Sequence, residues 1–98
     1  MKIMLICAGG MSTSILMKKM EKWGQDNNVD LEVEAYGLSS YEDNFSGYDC
    51  ALLGPQISYK FDEIKGKINI PMEQIASYDY AIGNVENIMK QVDTLLKK

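Results

Sequence analysis

The stretch KIMLICAGGMSTS, residues 2–14, decides the fold of this chain. It contains an unbroken apolar run, a cysteine at position 7, a glycine pair and three hydroxyl residues. The apolar run Ile3–Ile6 predicts a parallel strand that is buried on both faces of its sheet. Cys7 follows directly, so we expect it at the carboxyl end of that strand. A helix that begins among residues 12–14 completes a unit of strand, turn and helix.

The turn between this strand and this helix is predicted to bind phosphate. Gly9 and Gly10 permit a tight turn in which successive backbone N–H groups point inward. The unpaired N–H groups of the helix's first turn add roughly half a positive charge. Both features favour the thiolate form of Cys7 and attract an anion to it. Cys7 is thus the predicted nucleophile, and the predicted phosphate-binding loop after it consists of Ala8, Gly9, Gly10, Met11, Ser12, Thr13 and Ser14.

The alternative for Cys7 is an inert structural thiol, because free cysteine is among the residue types most often buried. The glycines and hydroxyl residues that follow it favour the reactive interpretation. Cys50 lies inside a second apolar run and is predicted to be a buried structural thiol. A redox pair of the two cysteines stays open as an alternative, although no C-x-x-C motif links them.

The composition restricts the function. A length of 98 residues predicts one domain spanning residues 1–98, and a formal net charge of −4 argues against a nucleic-acid partner. No apolar run approaches the roughly 18 residues that cross a bilayer, so we expect a cytoplasmic protein. The chain has no histidine, and all 10 of its basic residues are lysine. Cys7 therefore has no imidazole base within the chain, and no guanidinium group is present to grip a phosphate.

The remaining patterns predict strands that alternate with helices, which is an α/β fold. We expect a single open four-stranded parallel sheet of order 2-1-3-4, with helices on both faces. A helix to about Asp26 follows the loop, a later helix ends at Gly66, and the last helix starts at Asn84 as its N-cap. Residues 72–77 are predicted to form one or two helical turns, and residues 78–80 a loop. The predicted strands are Ile3–Ile6, Leu31–Ala35, Tyr48–Leu53 and Ile68–Ile70.

Further site candidates follow from the rule that ligands bind such sheets beyond the carboxyl ends of the strands. Gln56 comes just after the second central strand and is a candidate donor near the phosphate, with a plain helix cap as its alternative. Met11, Tyr59 and Tyr78 are candidate rim residues for a partner that docks transiently. Asp79 is a candidate general acid, weighed against a surface carboxylate beside packed aromatic rings.

Two motifs carry a resemblance to a known family: CAGGMSTS at residues 7–14 and LLGPQISY at residues 52–59. Together they resemble the enzyme IIB component of the bacterial sugar phosphotransferase system (PTS), in its lactose and cellobiose/chitobiose family. The resemblance implies that Cys7 accepts a phosphoryl group from a phosphohistidine of the IIA component. The acceptor would then be a disaccharide held by the membrane component IIC, with which this protein would associate peripherally. No cofactor and no metal are implied.

The fold of that family is similar to that of low-molecular-weight tyrosine phosphatases, whose loop reads C-x5-R-[ST]. Cys7 and Ser14 match this frame, whereas Thr13 stands in place of the arginine. We therefore expect a thiophosphate that forms but resists attack by water, as a carrier requires. Two alternatives stay open: a regulatory module in which the phosphorylated loop only signals to a partner, and a phosphatase-like hydrolase.

Overall fold

The computed structural model describes the backbone of residues 1–7 and 11–96 and the side chains of residues 1–7 and 14–96. Within these ranges, the strands form one open, wholly parallel sheet with the order β2-β1-β3-β4, as predicted. The strands are β1 (Lys2–Ile6), β2 (Glu32–Tyr36), β3 (Cys50–Leu53) and β4 (Met72–Gln74).

The strand sequences explain this order. In the central strand β1, Ile3–Ile6 are at most 2% exposed, because helices cover both faces of the sheet. In β2, Val33 is buried whereas Glu32 and Glu34 are exposed, which suits an edge strand. Ile3 pairs with Val33 on one side and with Cys50 on the other, and this register aligns the carboxyl ends of β1, β2 and β3.

Helices cover both faces of the sheet, which confirms the predicted layers. The α-helices are α1 (Met11–Asp26), α2 (Phe61–Lys67), α3 (Ser77–Ile82) and α4 (Val85–Leu96), and short 3₁₀ helices span Tyr41–Asp43 and Pro55–Lys60. Successive side chains of a strand point to opposite faces. Leu5 therefore packs in the core formed with α1 and α4, and Ile6 in the core formed with α2 and the 3₁₀ helices.

The last helix begins as predicted. The side-chain Oδ1 of Asn84 accepts a hydrogen bond from the backbone N–H of Asn87 at 3.2 Å, which makes Asn84 the N-cap of α4. Gly83 precedes it with φ = 67°, a left-handed conformation that ends α3. Because α4 buries Ile88 and Val92 completely, it anchors this face of the sheet.

The predicted strand at residues 68–70 is wrong. The fourth strand comes after Pro71, where helical turns were expected. Proline lacks an N–H group, but it can open a strand through its carbonyl group, and the oxygen of Pro71 accepts a hydrogen bond from Ala51 at 2.9 Å. Ile68 directly follows α2 and is buried in the same core cluster as Ile64, so its apolar character reflects core packing rather than strand pairing.

The helices α2 and α3 also differ from the predictions. Gly66 does not end α2, which continues to Lys67, and the N–H of Ile68 still bonds to the carbonyl oxygen of Ile64 at 3.1 Å. Residues 78–80 lie in α3 rather than in a loop, and the N–H of Tyr80 bonds to the carbonyl oxygen of Ala76 at 2.9 Å. A helix of six residues is too short to show a helical period in its sequence.

Candidate active site at Cys7

Hydrogen bonds from two neighbouring strands hold the backbone around Cys7. The N–H of Cys7 donates to the carbonyl oxygen of Tyr36 at 3.0 Å, and the N–H of Gly54 donates to that of Ile6 at 2.9 Å. These bonds continue the ladder past the ends of β1 and β3. The Sγ atom of Cys7 lies 3.7 Å from the Tyr36 oxygen, within reach of a weak S–H···O bond. Cys7 thus stands at the carboxyl edge of the sheet, in its predicted position.

The inner side of Cys7 is apolar and dry. A narrow hollow beside it has no space for a molecule the size of water. Cys7 itself is 8% exposed. Among the described residues, the hollow is lined by Leu5, Ile6, Cys7, Leu16, Leu52, Gly54, Ile75 and Tyr80.

The predicted phosphate-binding loop is described only in part. Ala8, Gly9 and Gly10 lie outside the described residues, and so do the side chains of Met11, Ser12 and Thr13. The described backbone begins α1 at Met11, so the helix N-terminus follows Cys7 closely at the same sheet edge. A helix that starts there presents unpaired N–H groups and positive potential, both of which favour a bound anion. The side chain of Ser14 is exposed.

The second cysteine lies in a different environment. Cys50 is fully buried, and burial, with a smaller contribution from the Asp49 carboxylate, raises the pKa of its thiol to about 12. The thiolate is the reactive form, so Cys50 is inert near neutral pH. Because Cys50 pairs with Ile3, Cys7 lies four positions further along the sheet, roughly 13 Å away. That separation is too long for a disulfide, and both cysteines are free, which excludes the redox pair.

Among the predicted rim residues, Gln56, Tyr59 and Tyr78 have described side chains. Gly54 has no side chain. A Cβ atom built on it would lie 3.2 Å from the Oε1 atom of Gln56 and 4.0 Å from the Cα atom of Cys7. The Gln56 amide therefore folds back towards the site. Tyr59 and Tyr78 follow β3 and β4 and are 76% and 72% exposed, respectively.

The candidate general acid has a structural contact. Oδ1 of Asp79 accepts a hydrogen bond from the side-chain amide of Asn87 at 3.1 Å, which ties α3 to α4. This contact favours the surface carboxylate over the general acid. The residue of α3 that does line the hollow beside Cys7 is Tyr80, which sequence reasoning missed. The sequence does not reveal that Tyr80 lies on a helix. On a helix, residues two positions apart, such as Tyr78 and Tyr80, point in different directions.

The fold and the site together define a class: α/β proteins with a cysteine at the end of the central strand, just before a helix N-terminus. The sequence matches the model of one family over residues 2–96. That family is described as "PTS system, Lactose/Cellobiose specific IIB subunit", and the chain belongs to it.

Individual relatives agree over nearly the full length. The chain is 33% identical over 102 aligned positions to the PTS system cellobiose-specific EIIB component of Lactococcus lactis subsp. lactis, covering 96% of this chain and 94% of the relative. It is 32% identical to the galactose-specific EIIB component of Lactococcus lactis subsp. cremoris with the same coverage. The solution structure of the cellobiose-specific phosphotransferase IIB component from Borrelia burgdorferi superposes with a TM-score of 0.81 at 30% identity, covering 98% of this chain and 91% of that one.

Longer relatives match part of this chain. The lactose-specific EIICB component of Lactococcus lactis is 26% identical over 65 residues, which is 66% of this chain but 11% of the relative. As a member of the IIB family, the chain is a phosphotransferase and a phosphocarrier of a sugar phosphotransferase system.

Proposed function

We propose that Cys7 carries the phosphoryl group from a phosphohistidine of the IIA component to a disaccharide bound by the IIC component. The main support is the position of Cys7 at the carboxyl end of β1, directly before the N-terminus of α1, in a chain of the IIB family. The contrast with Cys50, whose thiol is inert near neutral pH, also supports Cys7 as the carrier of the phosphoryl group.

The proposed reaction has two balanced transfers. First, the Cys7 thiolate attacks phosphorus as the bond from phosphorus to the donor imidazole nitrogen breaks, and that nitrogen keeps the electron pair. Second, a sugar hydroxyl attacks phosphorus as the S–P bond breaks and the thiolate is regenerated. The hydroxyl proton goes to a base on the acceptor side or to solvent. Phosphohistidine and sugar are consumed, and histidine and sugar phosphate are formed.

The loop residues would serve as the phosphate cradle. We assign the backbone amides of residues 9–14 to the phosphoryl oxygens, with the hydroxyl groups of Ser12, Thr13 and Ser14 assisting them. Without arginine in the chain, stabilisation of an attacking water is weak, so the phosphocysteine should outlast a phosphatase intermediate. Gln56, Tyr59 and Tyr78 are proposed as rim contacts to the partners.

The proposed partners place this chain beside a membrane protein. Relatives named EIICB combine a matching segment with a much longer chain, which supports a IIC partner. None of the helices in the described ranges is long and apolar enough to cross a bilayer. We propose a single cytoplasmic IIB domain that meets IIC at the membrane surface and takes a cellobiose, chitobiose or lactose type of disaccharide.

The direct test is the intact mass after incubation with candidate IIA proteins charged from phosphoenolpyruvate by the general phosphotransferase proteins. We expect one added phosphoryl group in the wild type and in the Cys50→Ala variant, and none in Cys7→Ala. Addition of membranes with IIC and cellobiose should then discharge the wild type to sugar phosphate. Phosphate release without sugar would indicate a hydrolase, and stable phosphorylation without discharge to any disaccharide would indicate a regulatory module.

A further inference from the structure

The outer strand β2 leaves backbone groups unpaired at the side of the sheet. Its first and last residues, Glu32 and Tyr36, bond through their backbones to the residues that flank β1, at 2.8 and 3.0 Å. Alternate residues of a strand bond to the same neighbour, so Glu34 faces β1 as well. The N–H and C=O groups of Val33 and Ala35 therefore point away from the sheet.

These outward groups have no partner in the part of the chain that the structure describes. No hydrogen bond there involves the backbone N–H or C=O of Val33 or Ala35. Val33 is nonetheless only 4% exposed, so its polar groups are nearly enclosed. An enclosed backbone group without a partner costs about as much free energy as a lost hydrogen bond. A further strand beside β2 would supply the bonds that this edge lacks.

The opposite edge of the sheet is closed by side chains. Near the carboxyl end of β4, the outward-facing residue is Gln74. Its N–H donates to the Glu73 carboxylate at 3.1 Å, and its carbonyl oxygen accepts from the Gln91 amide at 3.2 Å. Edge groups that are already occupied cannot pair with another strand. The two edges thus differ, and β2 is the one that can accept a fifth strand.

A groove of about 480 Å³ follows the free edge of β2. We name it the β2 edge groove. Tyr36 and Tyr48 form one side of it, and a hydrogen bond of 2.9 Å between their hydroxyl groups fixes that side. Among the described residues, the groove is lined by Lys2, Glu21, Leu31, Glu32, Val33, Glu34, Tyr36 and Tyr48.

The lining of the β2 edge groove is acidic. It contains three glutamates and one lysine. The single ion pair within it joins Lys2 and Glu32 at 3.9 Å, and both side chains are more than half exposed. Within the described ranges, neither Glu21 nor Glu34 pairs with a lysine. The groove therefore suits a positively charged occupant.

We infer that the β2 edge groove binds an extended, basic segment of the IIC component as a fifth strand, an inference that rests on the proposed function. The segment pairs its backbone with Val33 and Ala35, and its lysine or arginine side chains meet Glu21 and Glu34. Cytoplasmic loops of membrane proteins carry an excess of these basic residues, which argues for IIC as the source.

The position of the groove suits an anchor rather than a reaction surface. Val33 pairs with Ile3, so it lies roughly 14 Å from Cys7, at the side of the sheet. IIC held there leaves the carboxyl edge free for the sugar. A second copy of this chain is a poorer occupant, because antiparallel pairing of Val33 with Ala35 of the copy would bring the two Glu34 carboxylates together.

The experiment measures the affinity for membranes that contain IIC, by sedimentation of the unphosphorylated protein. Ala35→Pro removes an outward N–H without removing a bond to β1, and its ring obstructs an incoming strand. We expect it to lower the affinity at least about tenfold. Glu34→Lys should lower the affinity at least about fivefold at low salt, and less at high salt because ions screen the added charge.

Matched controls make the edge specific. Ala35→Ser keeps the N–H and nearly the size of the side chain, and Glu86→Gln removes an exposed carboxylate of α4 outside the groove. Both should keep the affinity within about twofold of wild type. Equal affinities of the wild type, Ala35→Pro and Glu34→Lys would overturn the inference, and so would an equal loss in the two controls. A wild-type dimer that Ala35→Pro abolishes would assign the edge to a second copy and also overturn it.

Phosphorylation by charged IIA is the folding control. Ala35→Pro and Glu34→Lys should both accept the phosphoryl group at the wild-type rate, because the edge lies away from Cys7. If Ala35→Pro does not, its fold is disturbed and Glu34→Lys decides alone.

Failure of the proposed function is distinguishable from failure of the edge inference. If charged IIA does not phosphorylate even the wild type, the carrier proposal fails. Sedimentation with IIC membranes still tests the edge, and the melting temperature then serves as the folding control. Wild-type protein that sediments no better with these membranes than with membranes lacking IIC would overturn the edge inference.

Discussion

The buried thiol of Cys50 should make the protein less stable as the pH rises from 8 to 10. Its pKa is raised from an ordinary 9.0 to about 12 in the folded protein, chiefly by burial. A raised folded pKa means that the contribution to stability is complete below pH 9 and is lost as the pH rises towards 12. At pH 10 the unfolded thiol is mostly ionised while the folded one is still protonated. This difference lowers the free energy of unfolding by roughly 1 kcal/mol.

The assay is urea unfolding at pH 8 and pH 10 for the wild type and for Cys50→Ala. The Cys50→Ala variant loses packing at both pH values. Its free energy of unfolding should, however, lack the decrease that the Cys50 thiol causes between pH 8 and pH 10. Burial also raises the pKa of Tyr48 and of Tyr41, so both tyrosines add a loss at still higher pH in both proteins. An identical loss of stability between pH 8 and pH 10 in the two proteins would show that Cys50 does not cause it. Rapid modification of native Cys50 by a thiol reagent at neutral pH would likewise show that its thiol is not protected by burial.

Three further substitutions test the packing and the site. Asn84→Ala removes the N-cap bond to Asn87 and should lower the free energy of unfolding by about 1 kcal/mol, measured by urea unfolding, whereas Asn84→Asp should retain most of it. Ile88→Ala empties a fully buried position and should lower the free energy of unfolding by about 2–5 kcal/mol. A loss below about 1 kcal/mol would mean that α4 packs less tightly than the structure shows. Gly54→Val fills space beside Cys7 and should slow phosphorylation by IIA at least about tenfold. Gly54→Ala is its control and should stay within about threefold, since its Cβ meets only the movable Gln56 amide closely.

Those parts of the fold that have strong local patterns could be predicted from the sequence. The apolar run Ile3–Ile6 indicates a central strand, and the alternation around Val33 indicates an edge strand. A strand that is buried on both faces is apolar at every position, whereas one that is buried on a single face is apolar at every second position. The cap at Asn84 and the apolar stripe behind it likewise define α4. Each of these signals is confined to a few neighbouring residues, so no tertiary information is needed.

The segment from Gly66 to Tyr80 could not be predicted in the same way. Its strand has three residues and its helix six, so neither shows a period, and proline and glycine ordinarily interrupt regular structure. Pro71 in fact opens the strand, because its carbonyl group is free to bond to Ala51. The contribution of Tyr80 to the hollow beside Cys7 depends on this tertiary placement of α3.

We propose that the phosphoryl group travels on the sulfur of Cys7. Fragmentation mass spectrometry of the phosphorylated protein, together with the phosphorus NMR shift of the intact species, locates the modified atom. We expect a single S–P bond on Cys7 that disappears when IIC membranes and the disaccharide are added. A phosphoryl group on Ser12, Thr13, Ser14 or Cys50, with Cys7 unmodified, would contradict it.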